Sequence, residues 1–357
     1  MRSLTKNHYD LCCIAFLSRD SAFKYYQEFA PMNLPFFGNK KLDKKDKKLA
    51  LVLSGGGTLG AFQCGCIDTL ATNNLLPDLI VGTSVGAING AYLAFFPSRD
   101  AGKSLFNVWI RCMQESEANR SRLEVIRNLL WHRDRLYDSD WLAQLVVNTV
   151  GRKARVEESK IPLTIVATNV ITGEPYRIRE GDLDTALLAS SAIPGVLPPV
   201  EFNGCTLVDG GVVADLDIES AIMQHATDII AINVEGAVSH NYPRRFMGIF
   251  AKAIAISLRK QVELYYRLGN SKANILLIQV ILPVNPHFTD FRFTGPLYQL
   301  GKQYMADIAN TYIDFKSRSV RPAILELRPE YLPPYVIPRA SKKRTFAAAL
   351  PKLSTII

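Results

Sequence analysis

The chain is poor in histidine and lacks any cysteine pattern. Only His8, His132, His225, His240 and His287 occur in 357 residues, and none sits in a stretch that resembles a catalytic loop. Cys12, Cys13, Cys64, Cys66, Cys112 and Cys205 form no C-x-x-C pair and no zinc spacing. Neither a disulfide framework nor a metal site is therefore expected, and a reducing compartment fits best. Long apolar runs are missing too. Nothing reaches the ~18 apolar residues that a membrane span needs, and LCCIAFL at 11–17 is short for a signal-peptide core, with no clear cleavage site after it. The expected location is cytoplasmic, with peripheral membrane contact from the surface. Export without a cleavable signal stays open. No cofactor, no metal and no nucleic-acid partner is implied.

What is present is a large apolar fraction, 48% of the residues, enough for a sizeable core. The pattern reads as one large domain, 48–315, with an N-terminal accessory segment, 1–47, and a C-terminal tail, 316–357, that carries the proline-bearing YLPPYVIP and the basic SKKR. Lysine and arginine number 42 against 33 acidic residues, a net charge of +9, part of it in KKLDKKDKK at 40–48. Such runs are ordinarily solvated, and they also favour an anionic membrane surface.

From residue 48 onward, short β-branched runs alternate with helical patterns, the signature of an α/β fold with a mostly parallel sheet. Strands are expected at 49–53, 79–81, 163–167, 206–208, 229–234 and 275–282. Helices are expected at 62–73, 87–96, 104–111, 141–150, 183–190, 218–225 and 246–268. The segment RRFMGIFAKAIAISLRKQVELYYRL at 244–268 reads first as a helix covering the sheet and second as an interfacial helix, because an apolar stripe suits both.

The sequence IVGTSVGA places Ser84 between Gly82 and Gly86, where a strand pattern gives way to a helix pattern. This fits G-x-S-x-G, in which a sharp strand-to-helix turn lifts the serine hydroxyl out of the sheet and small flanking residues let the backbone double back. The helix N-terminus beneath the serine favours developing negative charge. A serine alcohol needs a base. TLVDGGVVADLDI offers Asp209, directly after a short apolar strand and before Gly210 and Gly211. An ordinary Asp-Gly hairpin turn would look the same.

Upstream, LVLSGGGTLGAF matches G-x-G-x-x-G from Gly55 to Gly60, the dinucleotide fingerprint. A dinucleotide fold would want an acidic residue at the end of the next strand, yet Asp78 precedes that strand and the strand runs into the serine turn. No Lys-Ser/Thr follows Gly60, so a phosphate-binding loop is disfavoured as well. The Gly56 and Gly57 amides instead suit an oxyanion hole.

GGGTLG, GTSVG and DGG, in this order and with ASSAIPGVLPPV before the aspartate, resemble the patatin-like phospholipase family over roughly residues 48 to 315. The resemblance implies a three-layer α/β fold with a central, mostly parallel sheet flanked by helices. It implies a Ser84–Asp209 catalytic dyad without histidine, an oxyanion hole from Gly55, Gly56 and Gly57, and Gly60, Gly82, Gly86, Gly210 and Gly211 as motif-supporting positions. The implied activity is hydrolysis of phospholipid or lysophospholipid acyl esters through an acyl-enzyme. The family often has Arg or Lys where this chain has Leu59, and Ala214-Asp215 stand where many relatives carry an Asn-Leu-Pro type of sequence. Leu59 motivates a second reading, a non-catalytic lipid-binding or scaffold protein of the same fold.

Overall fold

A computed structural model of the chain describes residues 47–118, 153–234, 246–282, 290–329 and 332, together with the backbone strand β1 (Tyr26–Phe29). The expected helix 141–150, the stretch 11–17, the lysine run before residue 47, YLPPYVIP apart from Leu332, SKKR and residues 244–245 lie outside the described residues.

Six parallel strands form the body of the main sheet: β2 (Leu49–Leu53), β3 (Leu79–Thr83), β4 (Leu163–Asn169), β8 (Asp228–Asn233), β9 (Asn274–Val280) and β12 (Ala323–Leu327). Their spatial order is β12-β9-β8-β2-β3-β4. The antiparallel β5 (Pro175–Ile178), β6 (Val200–Phe202) and β7 (Cys205–Asp209) join at the β4 side, and β1 pairs with β12 at the other edge. A separate hairpin joins β10 (Ile313–Asp314) and β11 (Ser319–Val320). Every residue of β2 (LALVL) and β8 (DIIAIN) is buried, as befits parallel strands covered on both faces.

The helices are α1 (Gly60–Thr72), α2 (Val85–Phe95), α3 (Ala101–Ala118), α4 (Leu183–Ser190), α5 (Ile218–Met223), α6 (Phe246–Gly269) and α7 (Thr294–Tyr312). One core packs the sheet against α1, α2, α3, α4 and α7 through residues such as Phe62, Ile88, Leu187 and Met305. A second core on the opposite face joins Ile218, Ala221, Val262 and Tyr266 of α5 and α6 to Val52, Val81 and Ile229. The result is three layers. Helix α1 is buried along nearly its whole length, because α7 crosses it so closely that a Cβ on Gly65 would strike the Tyr298 carbonyl and one on Gly301 the Phe62 carbonyl.

The sheet reaches past the boundaries expected at 48 and 315, since β1 and β12 both belong to it. Helix α7 was also not expected; Pro296 is tolerated because it falls in the first turn, where an amide has no intrahelical partner. In α6, Val262 and Tyr266 cover the sheet, whereas Ile249, Ile256, Leu264 and Leu268 face outward.

The β4 register sets up the site. Ile165 and Val166 pair with both β3 and β5, and Ala167 and Thr168 pair with both β5 and β7. Strands β3 and β7 therefore lie head to head along one edge of β4. Thr83 pairs with Val166, and the next position, Ala167, pairs with Asp209. Thr83 and Asp209, 126 apart in sequence, are thus brought end to end by backbone pairing.

Candidate active site

Ser84 stands at the junction of β3 and α2 with φ 54° and ψ −124°, a conformation that costs a non-glycine residue about 1–3 kcal/mol. The surroundings hold it there. Its amide donates to Ser190 Oγ at 2.9 Å, and Ser190 Oγ donates to the Val166 carbonyl at 2.6 Å. Its carbonyl accepts from Ala87 and Ile88 in the first turn of α2. Gly86 is dictated by close approach: a Cβ there would strike the Leu53 carbonyl and lie 2.5 Å from the Ser54 carbonyl. Gly82 packs against the Gly86 carbonyl and the Ala87 Cα in the same turn.

Asp209 ends β7 with its side chain turned back on its own loop. The Gly211 amide donates to its Oδ1 at 2.7 Å, the Thr168 hydroxyl donates to its carbonyl at 2.9 Å, and its amide donates to the Ala192 carbonyl at 2.9 Å. Gly210 lies under the end of β3, where a Cβ would strike the Val166 carbonyl and meet Thr83 Cγ2 at 2.8 Å. The Thr83 hydroxyl donates to the Ala214 carbonyl at 3.0 Å, fastening the two strand ends together.

Ser84 and Asp209 are 8% and 6% exposed. Burial pushes the Asp209 carboxyl up from 3.8 to about 6, while hydrogen bonds from the Gly211 amide and the Ser84 hydroxyl pull the other way. A serine hydroxyl thus sits beside a carboxylate with more proton affinity than a hydrated aspartate has, which is an arrangement for moving a proton off oxygen.

The glycine loop closes over this pair. A Cβ on Gly55 would lie 3.3 Å from Ser84 Cβ and 2.7 Å from Asp215 Oδ1. Gly56 and Gly57 have φ of 133° and 55°, the left-handed side where glycine is favoured. The Gly55 amide is already committed, donating to Asp215 Oδ1 at 2.9 Å. A Gly55 amide so committed is not available to an incoming oxygen. Gly60 begins α1 and touches Val85 and Trp109.

Sequence reasoning missed the residues that brace this loop. Asp215 holds Gly55 and also lies beside Gly211, where a Cβ would be 3.0 Å from Asp209 Oδ1 and 3.4 Å from Asp215 Oδ1. A buried amide network ties β2, α1, α2 and α3 together. Gln63 Nε2 donates to the Ser54 carbonyl at 2.8 Å, Asn89 Nδ2 donates to Gln63 Oε1 at 2.8 Å and to the Gly60 carbonyl at 3.0 Å, and Trp109 Nε1 donates to Asn89 Oδ1 at 3.0 Å. Leu59 packs on the core, and its amide donates to the Gly56 carbonyl at 3.1 Å. The visible signal for this bracing was polar residues inside otherwise apolar helical runs.

His225 is exposed just past α5 and before β8, at the N-terminal ends of the parallel strands, whereas Ser84 is at their C-terminal ends. The other four histidines lie outside the described residues. Asp78 is also at the N-terminal end, where its Oδ2 accepts from the Leu49 amide at 2.8 Å and its Oδ1 pairs with Arg318 at 2.9 Å. It is remote from the glycine loop, which removes the dinucleotide geometry. No helix among the described residues is long and apolar enough to cross a membrane.

Residues 51–222 match the family model of patatin-like phospholipase. Patatin-like phospholipase domain-containing protein 7 of Mus musculus is 28% identical over 244 residues, covering 66% of this chain and 18% of that protein. An uncharacterized NTE family protein of Mycobacterium tuberculosis is 30% identical over 197 residues, 53% of this chain and 50% of that protein. Lysophospholipase NTE1 of Candida albicans is 23% identical over 305 residues, 79% of this chain and 21% of that protein. The chain thus spans between 18% and 50% of the length of these relatives.

Proposed function

The chain carries a patatin-like phospholipase domain over residues 51–222, and from this we propose that it is a serine acyl hydrolase that cleaves fatty-acyl esters of phospholipids or lysophospholipids. The observation that carries the reading is the buried pairing of the Ser84 hydroxyl with an Asp209 carboxyl raised to about 6. At neutral pH this carboxylate is ionised, and its proton affinity suits a general base better than that of a hydrated aspartate.

In the proposed reaction Ser84 Oγ attacks the ester carbonyl as its proton passes to Asp209. The Gly56 and Gly57 amides and the N-terminus of α2 receive the charge that develops on the carbonyl oxygen. Asp209 returns the proton to the departing alkoxide, leaving an acyl-serine and a free alcohol. Water then attacks the acyl-serine, gives its proton to Asp209, and the fatty acid leaves as Ser84 is reprotonated.

Leu59 replaces the cation that relatives often carry, and this loop is braced from within instead, by Asp215, Gln63 and Leu59 packing. That bracing favours the enzyme over the scaffold reading. The test is fatty-acid release from mixed phospholipid and lysophospholipid vesicles, together with labelling by a fluorophosphonate probe. The wild type should release fatty acid and take the label, and Ser84→Ala should do neither. Equal release by both proteins overturns the assignment, and a wild type that neither releases nor labels favours the scaffold.

A further inference from the structure

A cavity of about 450 Å³ is lined in part by chain neighbours of Asp209, and its size falls within the ~300–1,000 Å³ range of small-molecule sites. Its walls include Val208, Val212 and Val213, which bracket Asp209 in the chain, together with Leu197, Pro199 and the half-exposed Val170. Among the described residues, no charged side chain lines it. The two polar side chains in its wall are spent on the protein: the Thr168 hydroxyl donates to the Asp209 carbonyl, and Asn169 Oδ1 accepts from the Ile171 and Thr172 amides. A phosphate or polar head group would find no counter-charge here, whereas hydrocarbon would lose nothing by leaving water.

The rim has the same character. The turn between β4 and β5 is fixed by the Asn169 side chain and by the Gly173 amide donating to the Asn169 carbonyl at 2.9 Å. That ordered turn presents Val170 and Ile171 at 49% and 83% exposure, and Val212 is 46% exposed. A single exposed aliphatic residue is unremarkable. Here three of them lie on the two segments, the β4–β5 turn and the loop after Asp209, that supply walls of one apolar cavity.

We propose that this cavity receives the hydrocarbon chain of a fatty-acyl ester, which passes between the β4–β5 turn and Val212 and leaves its carbonyl end toward Asp209 and Ser84. The proposal rests on the hydrolase reading for the ester and names the part of the site that selects the acyl group. Cavity shape then governs chain-length preference, while the glycine loop and the dyad act on any ester.

The experiment uses the full chain, with p-nitrophenyl butyrate and palmitate as short and long substrates and cis-parinaric acid as a fluorescent fatty acid that needs no turnover to report binding. Val170→Trp narrows the mouth at a half-exposed position, and Leu197→Ala enlarges the far wall. Val170→Trp should lower the palmitate-to-butyrate ratio of kcat/KM by about tenfold or more and weaken parinaric acid binding comparably, since each lost methylene contact shifts discrimination on that order. Leu197→Ala should move the chain-length optimum. Ratios and binding within about twofold of wild type in both variants would overturn the proposal. So would a wild type that hydrolyses esters but does not bind parinaric acid. Parinaric acid bound by the wild type and lost in Val170→Trp, without ester hydrolysis by either, would keep the acyl site and discard the hydrolase.

Discussion

Replacing Asp209 by asparagine should stabilise the fold at neutral pH while removing the activity, because the buried carboxylate is a thermodynamic cost that the reaction uses. Its pKa stands at about 6 instead of 3.8, and at 1.36 kcal/mol per pH unit this displacement corresponds to ~3 kcal/mol. The folded-state value is raised, so the native state holds the proton more tightly than the unfolded chain does. The contribution is fully present below pH 3.8 and is lost as the pH rises through about 6. At higher pH the wild type carries an ionised group that would be better solvated in the unfolded state.

Urea unfolding of wild type and Asp209→Asn across this interval measures the effect. The stability difference, variant minus wild type, should grow by ~3 kcal/mol from below pH 4 to pH 7. Fixed consequences of the amide cancel in that difference, and the rest of the chain titrates in both proteins. In parallel, kcat/KM of the wild type should fall about tenfold per pH unit on the acid side of an apparent pKa near 6, because only the ionised base accepts the Ser84 proton. A pH-independent stability difference with an acid limb near 4 would refute the reasoning. It would mean that Asp209 is hydrated in the free protein and that desolvation is not what tunes it.

Asp215→Ala removes the acceptor for the Gly55 amide and should lower kcat by roughly 5- to 150-fold with a smaller change in KM, the equivalent of a buried donor left unmade. Asp215→Asn retains an oxygen acceptor and should recover most of the rate, and equal loss in both variants would argue against this positioning role. Gly86→Ala drives a methyl into the Leu53 and Ser54 carbonyls and should cost about 1–3 kcal/mol or more in thermal unfolding, with turnover falling further because Ser84 is displaced. Arg177→Ala strips Asp217 of a two-point ion pair at 2.6 and 3.1 Å. That leaves a carboxylate at 0% exposure, and the variant should lose about 3–5 kcal/mol by chemical denaturation.

The parts of this molecule that could be read from sequence are those whose physics is local. A serine between two glycines at a strand-to-helix switch specifies its own backbone, so the turn at Ser84 follows from a handful of adjacent residues. The buried strands also announced themselves, since LALVL and DIIAIN admit little else. Helix α7 did not, because Gly295, Pro296 and Gly301 blur its period, and Gly301 is there for the crossing with α1. Strand β12 carries a glutamate, Glu326, which is buried only because Arg259 and Arg328 reach it at 3.1 and 2.7 Å. No property of the strand's own residues reveals those partners.

The same distinction explains how Leu59 can be misread. Judged against relatives, a leucine in the glycine loop is a lost charge. Judged by what the loop touches, order comes from contacts outside the loop itself: Asp215 on the Gly55 amide, Gln63 on the Ser54 carbonyl, and the Ser54 hydroxyl accepting from the Val234 amide at 3.0 Å. The first two fix backbone atoms of the loop and its entry, and the third fixes the Ser54 side chain to the end of β8. Leu59 adds its own packing on the core. A cation at this position would add field to the cleft, but the backbone shape of the loop does not depend on one, since its anchors are buried acceptors and donors that a surface charge does not replace.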